Sequence, residues 1–344
     1  MVNATPTLLP SGLADVLPPL AAAEFRLVHH FLKTFSAFGY QPVIPPLAEY
    51  ASSMLKGQGE ATSHHVFKMP DPLSPEMLAL RADMTGQVAR IAGGALANMP
   101  RPLRLCYAGY TLRTAPEALK TRRQHTQVGI ERFGDMRTES VAEVLAIAAH
   151  ALARNGVDAL TIDLHYPSVL EALLAHYAPE KHAPIRDAVR LKDPARLIQL
   201  EAMDIAEMMR HAGPADAVLK RLAASPLPEV KRAADDLAAL VAALSAAKVT
   251  ATLTIDLLDL AGYGYYSGIG YAMFWNKAGI EVGRGGCYAT SSGENAVGFT
   301  LYINDVLEQL PSEPAAPIKT IAYSTSTTEA AALHAQGFVT IFGH

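Results

Sequence analysis

Residues 260–275 read LAGYGYYSGIGYAMFW, a run without a single charged side chain. Five of these positions are glycine or serine and four are tyrosine. Aromatics alternating with small residues suit a twisted, buried strand in which glycine lets another backbone or a ligand come close. The tyrosines pair apolar faces with hydroxyls, which equips such a strand to hold a small polar ligand. The alternative for Tyr265 and Tyr266 is plain core. A wall without charge can bind, but it has little with which to drive chemistry.

The chain has 344 residues, enough for one large core plus an appended lobe. Half of the residues are apolar and 18% are charged, a globular composition. With a net charge of -4 there is no electrostatic reason to expect nucleic acid, although residues 120–123 form a local basic patch. Two cysteines, Cys106 and Cys287, make no disulfide scaffold and suit a reducing compartment. No basic-then-apolar leader opens the sequence, and no apolar run of about 18 uncharged residues reads as a membrane span. A cytoplasmic protein is expected. The 12 histidines include the adjacent pairs His29, His30 and His64, His65, whose side chains diverge, and no metal-ligand spacing occurs. Neither a metal nor a cofactor is expected.

Apolar spacing predicts a helix over residues 21–38 (Phe25, Val28, Phe31, Leu32, Phe35) that stops at Gly39. Pro45 and Pro46 keep residues 41–49 extended. Two strands, 65–69 and 77–81, flank a turn, and a helix follows over 84–97. Residues 104–112 and 125–134 alternate as strands around a polar, mobile loop. A helix over 140–155 and a strand over 160–164 come next. Residues 166–248 are rich in alanine and leucine at helical spacing, which predicts a helical lobe. Asp235 and Asp236 fall in it, on what reads as a solvated helix face and not as a magnesium site. Strands resume at 249–256, 260–275, 279–284 and 296–302, with turns at 283–286 and 291–293. Residues 318–344 hold two short strands around one helix. Helices and hairpin-linked strands in separate runs predict an α+β fold with an antiparallel sheet.

Four segments together resemble the class II aminoacyl-tRNA synthetases, and among them the histidyl-tRNA synthetases. Residues 39–49, GYQPVIPPLAE, are similar to the first class II motif, whose proline (here Pro46) lies at the homodimer interface of that family. Residues 80–85, LRADMT, are similar to LRPEGT, with Asp83 for glutamate. Residues 104–134 keep Arg113, Arg123, Gln127, Glu131 and Gly134 of the second motif, and GYGYYSG at 262–268 resembles the histidine-specific GLDYYTG. The resemblance spans residues 8–310. It implies a synthetase-like core over 1–165 and 249–317, with 166–248 as an insertion lobe and 318–344 as a C-terminal remnant.

The departures concern the nucleotide. Ala261 stands where an activating arginine precedes the signature, and Gly264 replaces its aspartate. Ala115 replaces the adenine-reading glutamate and Thr121 a phosphate-contacting arginine. The third motif, Gly-Leu-Glu-Arg, is here Tyr302-Ile303-Asn304-Asp305, an aspartate where a triphosphate needs a cation. Adenylation depends on electrostatic stabilisation of shifting phosphate charge, and each lost donor costs about 3–4 kcal/mol of barrier. Arg113 alone cannot replace them; Arg284 or Arg90 would have to reach the same space.

The amino-acid half persists. The resemblance implies that Asp83 and Glu131 hold an ammonium group, Thr85 and Gln127 hydrogen-bond to it or to a carboxylate, Arg113 takes the carboxylate, and Tyr265 and Tyr266 line an imidazole. The alternative is that several are polar core residues kept for folding. This pattern resembles the regulatory subunits of ATP phosphoribosyltransferase, paralogues of histidyl-tRNA synthetase. The resemblance implies a short-form catalytic subunit as partner, assembly as a hetero-octamer, and histidine as feedback effector of the first step of histidine biosynthesis. No phosphoribosyl-pyrophosphate loop occurs in the sequence. An adenylating ligase and an RNA-binding relic are the competing expectations.

Overall fold

Two ten-residue segments of alternating apolar residues, Leu103–Leu112 and Gln124–Phe133, fold back on each other as an antiparallel hairpin, Leu105 opposite Glu131. The computed structural model that shows this describes residues 8–54, 65–116, 121–260, 264–310 and 321–342. In chain order the strands are β1 (Gln41–Pro42), β2 (Ala48–Tyr50), β3 (Lys68–Pro70), β4 (Met77–Leu80), β5 (Leu103–Leu112), β6 (Gln124–Phe133) and β7 (Leu160–His165). They continue as β8 (Gly213–Pro214), β9 (Thr252–Ile255), β10 (Tyr266–Trp275), β11 (Ile280–Ala289), β12 (Asn295–Tyr302), β13 (Ile321–Ser324) and β14 (Val339–Phe342). The helices are α1 (Leu20–Ala37), α2 (Ala51–Met54), α3 (Thr85–Gly93), α4 (Thr138–Arg154), α5 (Ser168–Leu174) and α6 (Pro179–Arg190). After them come α7 (Pro194–Gln199), α8 (Met203–Met209), α9 (Ala215–Ala223), α10 (Pro228–Ala246), α11 (Ile303–Gln309) and α12 (Thr327–Ala335).

The central sheet has nine strands in the order β1-β5-β6-β12-β11-β10-β7-β9-β8. The pairs β1–β5 and β7–β9 are parallel and every other neighbouring pair is antiparallel, so the expected antiparallel sheet carries a parallel pair near each end. Both edge strands are two residues long and end on a proline, Pro42 or Pro214. Short, proline-bearing edges offer little template for pairing with another chain.

Strand alternation gives the sheet two different faces. Val128, Ile130, Val297, Phe299 and Tyr271 turn to one side and join Phe31 and Phe35 of α1 and Leu145 and Leu152 of α4 in the main core. The rings of Phe35 and Phe299 meet edge to face at 5.6 Å. The other face carries Leu105, Tyr107, Phe133 and Tyr288, which pack with Met84 and Val88 at α3. Helix α1 buries Glu24, Leu27, Phe31 and Phe35, whereas Phe25, expected inside, is 69% exposed one helical step off that face. Gly39, with φ +82, ends the helix as expected.

The lobe of helices α5 to α10 leaves the sheet after β7 and returns at β9, with α10 packed on α4 and β8 paired to β9. Asp235 is exposed, but Asp236 is half-buried and accepts a 2.8 Å bond from the Tyr166 hydroxyl. Helix α3 ends at Gly93, short of the expected residue 97, and residues 94–99 continue as turns. Strand β10 begins at Tyr266, later than expected; residues 261–263 lie outside the described ones. Strands β13 and β14 pair in parallel around α12. Among the described residues no helix is long and apolar enough to cross a membrane.

The turn expected at residues 283–286 is the middle of β11. Its glycines answer to close approach of neighbouring strands and not to chain reversal. A Cβ on Gly283 would lie 2.5 Å from the carbonyl oxygen of Thr300 on β12, and one on Gly285 would overlap the carbonyl of Gly298 and the ring of Tyr271. Overpacking of this kind costs about 1–3 kcal/mol. Gly283→Ala is therefore expected to lower the unfolding free energy by that amount, read from paired urea unfolding curves.

Candidate functional site

On the α3 side of the sheet a cavity of about 580 Å³ opens above β6, β12, β11 and the start of β10. Its floor is aromatic. Tyr265 stacks on Tyr288 at 5.0 Å between ring centres and meets Tyr266 edge to face at 5.4 Å. Burial pushes the hydroxyls of all three upward, so they stay neutral donors.

Glu131 comes up from β6 into this floor and is almost completely buried. The Tyr288 hydroxyl donates to it at 2.8 Å and that of Tyr107 at 3.4 Å. Tyr107 also shares a 2.7 Å hydrogen bond with the Thr300 hydroxyl and a 3.4 Å contact with that of Thr85. Space for the carboxylate is made by Gly298, which sits opposite it on β12; a Cβ there would overlap the Glu131 oxygen. Burial raises the Glu131 carboxyl to about 8 against the pull of the Tyr288 hydrogen bond, with nearby Asp83 adding to the rise.

Asp83 stands at the end of α3 where the chain enters the helix. It accepts the Thr85 amide at 2.8 Å and the Gln127 side-chain amide at 3.2 Å. Arg81 fixes this segment, donating to the carbonyls of Tyr110 at 2.7 Å and Pro45 at 3.0 Å, and Gln87 donates to Pro46 at 2.8 Å. The segments similar to the first motif, LRPEGT and the second motif are thus tied together by side chain to backbone bonds.

Of the residues expected at a ligand, Asp83, Thr85, Arg113, Glu131, Tyr265 and Tyr266 line this one cavity. Gln127 is buried and reaches it only through Asp83, with its Oε1 unpaired among the described residues. The sequence reading missed Tyr288 and Tyr107, whose roles appear only when β11 and β5 are placed beside β12 and β6. It also missed Arg186 and Arg190, which line the cavity from the lobe.

The nucleotide side differs from expectation in one respect. Ala115 lines the cavity as expected, and Ala261 lies outside the described residues. Asp305 and Thr121, however, line a second cavity of about 440 Å³ beside α1 and α11, so the aspartate does not confront an anion in the main one. The reason is the helix start: Tyr302 ends β12 facing the main cavity, and the turn into α11 carries Asp305 round to the other. Arg90 is engaged with Glu49, but Arg284 does line the main cavity, donating to Glu281 through Nε at 2.7 Å and Nη2 at 2.8 Å. In the basic stretch at 120–123, Lys120 lies outside the described residues. Arg122 pairs with Glu308, and Arg123 donates to the carbonyls of Arg113 and Ser11 and stacks on Phe67, so both serve the fold.

The family described as histidyl-tRNA synthetase matches this chain over residues 12–306. Solved structures agree in fold. An ATP phosphoribosyltransferase regulatory subunit/histidyl-tRNA synthetase from Bacillus halodurans superposes with a TM-score of 0.84 at 20% identity, covering 98% of this chain and 93% of that one. The ATP phosphoribosyl transferase (HisG:HisZ) complex from Thermotoga maritima gives 0.64 at 19% identity, covering 81% and 97%. Sequence divides the class further. The ATP phosphoribosyltransferase regulatory subunit of Paramagnetospirillum magneticum is 40% identical over 347 residues, covering 99% of this chain and 92% of its own length. That of Gluconobacter oxydans is 38% identical, covering 97% and 89%. The chain belongs to the family of ATP phosphoribosyltransferase regulatory subunits.

Glu131 links the site to pH. Its folded value near 8 lies above the ordinary value near 4.5, so its contribution is complete below 4.5 and is lost as pH rises toward and through 8. Glu131→Gln removes this loss. Relative to the variant, the ligand-free wild type is expected to lose stability by a few kcal/mol between pH 5 and about 8, read from paired urea unfolding curves.

Proposed function

We infer that the chain acts as a non-catalytic subunit that binds histidine and passes that signal to a short-form ATP phosphoribosyltransferase catalytic partner. The observation that carries this reading is the buried Glu131 with half-buried Asp83 in one tyrosine-walled cavity. An ammonium group placed between Asp83 and Glu131 would favour the ionised form of Glu131 that burial disfavours. The ligand's imidazole would rest on Tyr265 and Tyr266, its carboxylate on Arg113, while Thr85 fixes orientation and Gln127 holds Asp83.

Several features favour binding without adenylation. Ala115 offers adenine no hydrogen-bonding side chain, the third-motif position turns Asp305 out of the cavity, and Arg284 is engaged by Glu281. A ligase would need that arginine released toward a phosphate. ATP–pyrophosphate exchange by the purified chain would establish the ligase reading instead.

The proposed organisation is a synthetase-like core over 1–165 and 249–317, which homodimerises near Pro46, an inserted lobe over 166–248, and a C-terminal unit over 318–344. Assembly with the catalytic partner as a hetero-octamer in the cytoplasm places histidine control at the first step of histidine biosynthesis. The mechanism is linkage, in which histidine shifts the assembly toward the conformation that binds it better.

Two measurements test this. Histidine is expected to bind the isolated chain in calorimetry, with Asp83→Ala and Glu131→Gln each weakening it at least tenfold, and with no exchange activity. Mixed with the catalytic subunit, the chain is expected to raise transferase activity and confer inhibition by histidine. Activity indifferent to the added chain would refute the role.

A further inference from the structure

Glu131 on β6 stands level with Gly298 on β12, Gly298 with Gly286 on β11, Gly286 with Gly270 on β10, and Gly270 with His165 on β7. Residues in register across a sheet share a face, so these five form one row, with a long side chain at each end and three glycines between. The glycines are roofed by side chains. A Cβ on Gly298 would overlap the Glu131 carboxylate, one on Gly286 would lie 2.8 Å from the Tyr266 ring, and one on Gly270 would overlap the His165 ring.

Above this row the aromatic floor of the main cavity is a chain of rings. Tyr288 stacks on Tyr265 at 5.0 Å, Tyr265 meets Tyr266 at 5.4 Å, and Tyr266 meets His165 at 6.0 Å with the planes tilted by 51°. Tyr266 lines the cavity and His165 does not, so the imidazole stands behind the tyrosine. Backbone pairing leaves Tyr266 loosely placed. The register of β10 on β11 shifts between Tyr266 and Gly270, and the pairing of β10 with β7 reaches no further than Gly270 and His165. On the β7 side the imidazole is what meets the tyrosine.

His165 is fully buried, and neither ring nitrogen has a hydrogen-bond partner among the described residues. The ring therefore acts by its shape. Burial pushes the imidazole well below its ordinary value against the pull of Asp259, so it brings no charge beside the floor at neutral pH.

We propose that His165 is a positioning residue of the histidine seat: its ring backs Tyr266 and fixes where that wall of the cavity stands. The effect on binding rests on the histidine reading of the cavity, whereas the packing of ring on ring needs no ligand.

The test has two arms on the full chain, with His165→Ala, His165→Phe, which keeps a flat ring, and Leu164→Ala, a control on the same strand whose side chain joins the opposite, apolar core. Should the alanine variant not fold in urea curves, His165→Asn takes its place. In the first arm, amide hydrogen exchange of residues 264–270 is compared with that of residues 271–275 in the same strand, without ligand. His165→Ala is expected to speed exchange of the first segment at least tenfold relative to the second, His165→Phe to restore it, and Leu164→Ala to leave the ratio unchanged. In the second arm, calorimetry is expected to show histidine bound at least tenfold more weakly by His165→Ala and nearly as in the wild type by the other two. An unchanged exchange ratio in His165→Ala, or a folded phenylalanine variant that restores neither readout, overturns the proposal. A wild type that binds no histidine removes the histidine reading and leaves the exchange arm to decide; a wild type and His165→Ala that bind it equally remove the positioning role and leave the seat.

Discussion

A carboxyl group buried in the middle of a sheet is the constraint around which the site face is built. Glu131 has almost no contact with water, and an isolated charge there would cost several kcal/mol. Four strands share the work of accommodating it. β6 supplies the acid, β12 supplies Gly298 opposite it, β11 supplies the Tyr288 donor and β5 supplies Tyr107. Exchange any two of those strands and the carboxyl loses either its space or its hydrogen bonds. The sheet order and the chemistry of the cavity are one arrangement.

The two faces of the sheet divide the labour. One side joins α1 and α4 in an apolar core and supplies rigidity; the other leaves polar groups standing over tyrosine rings. The polar groups are held by neighbours before any ligand arrives: Asp83 by the Thr85 amide and Gln127, Glu131 by the tyrosines. A preorganised seat of this kind loses little entropy on binding.

Much of this was legible in the residues. Helical spacing marked α1, α4 and the lobe, and alternation marked the β5–β6 hairpin, because those signals are local. The candidate residues also converged as expected, except that Gln127 acts through Asp83. What escaped was set by tertiary neighbours. Phe25 matches the apolar pattern but sits one step off the face that meets the sheet. GRGG at 283–286 has turn composition, yet those glycines are imposed by the backbone of β12 and the ring of Tyr271. Asp305 follows cavity-lining Tyr302 by three residues, and a change from strand to helix carries it to another pocket. Arg186 and Arg190 lie 55 residues or more from the cavity's core residues, and nothing local ties them to it.

The helical lobe departs from β7 and rejoins at β9, and those two strands lie side by side in parallel, Thr161 level with Thr252. The chain leaves β7 at His165 and re-enters β9 at Thr252, at opposite ends of this parallel pair, so the whole lobe is one long crossover. Parallel neighbours cannot be joined by a tight turn, so a crossover of this kind has to carry the chain back along the sheet before β9 can form, and the helices of the lobe supply that return.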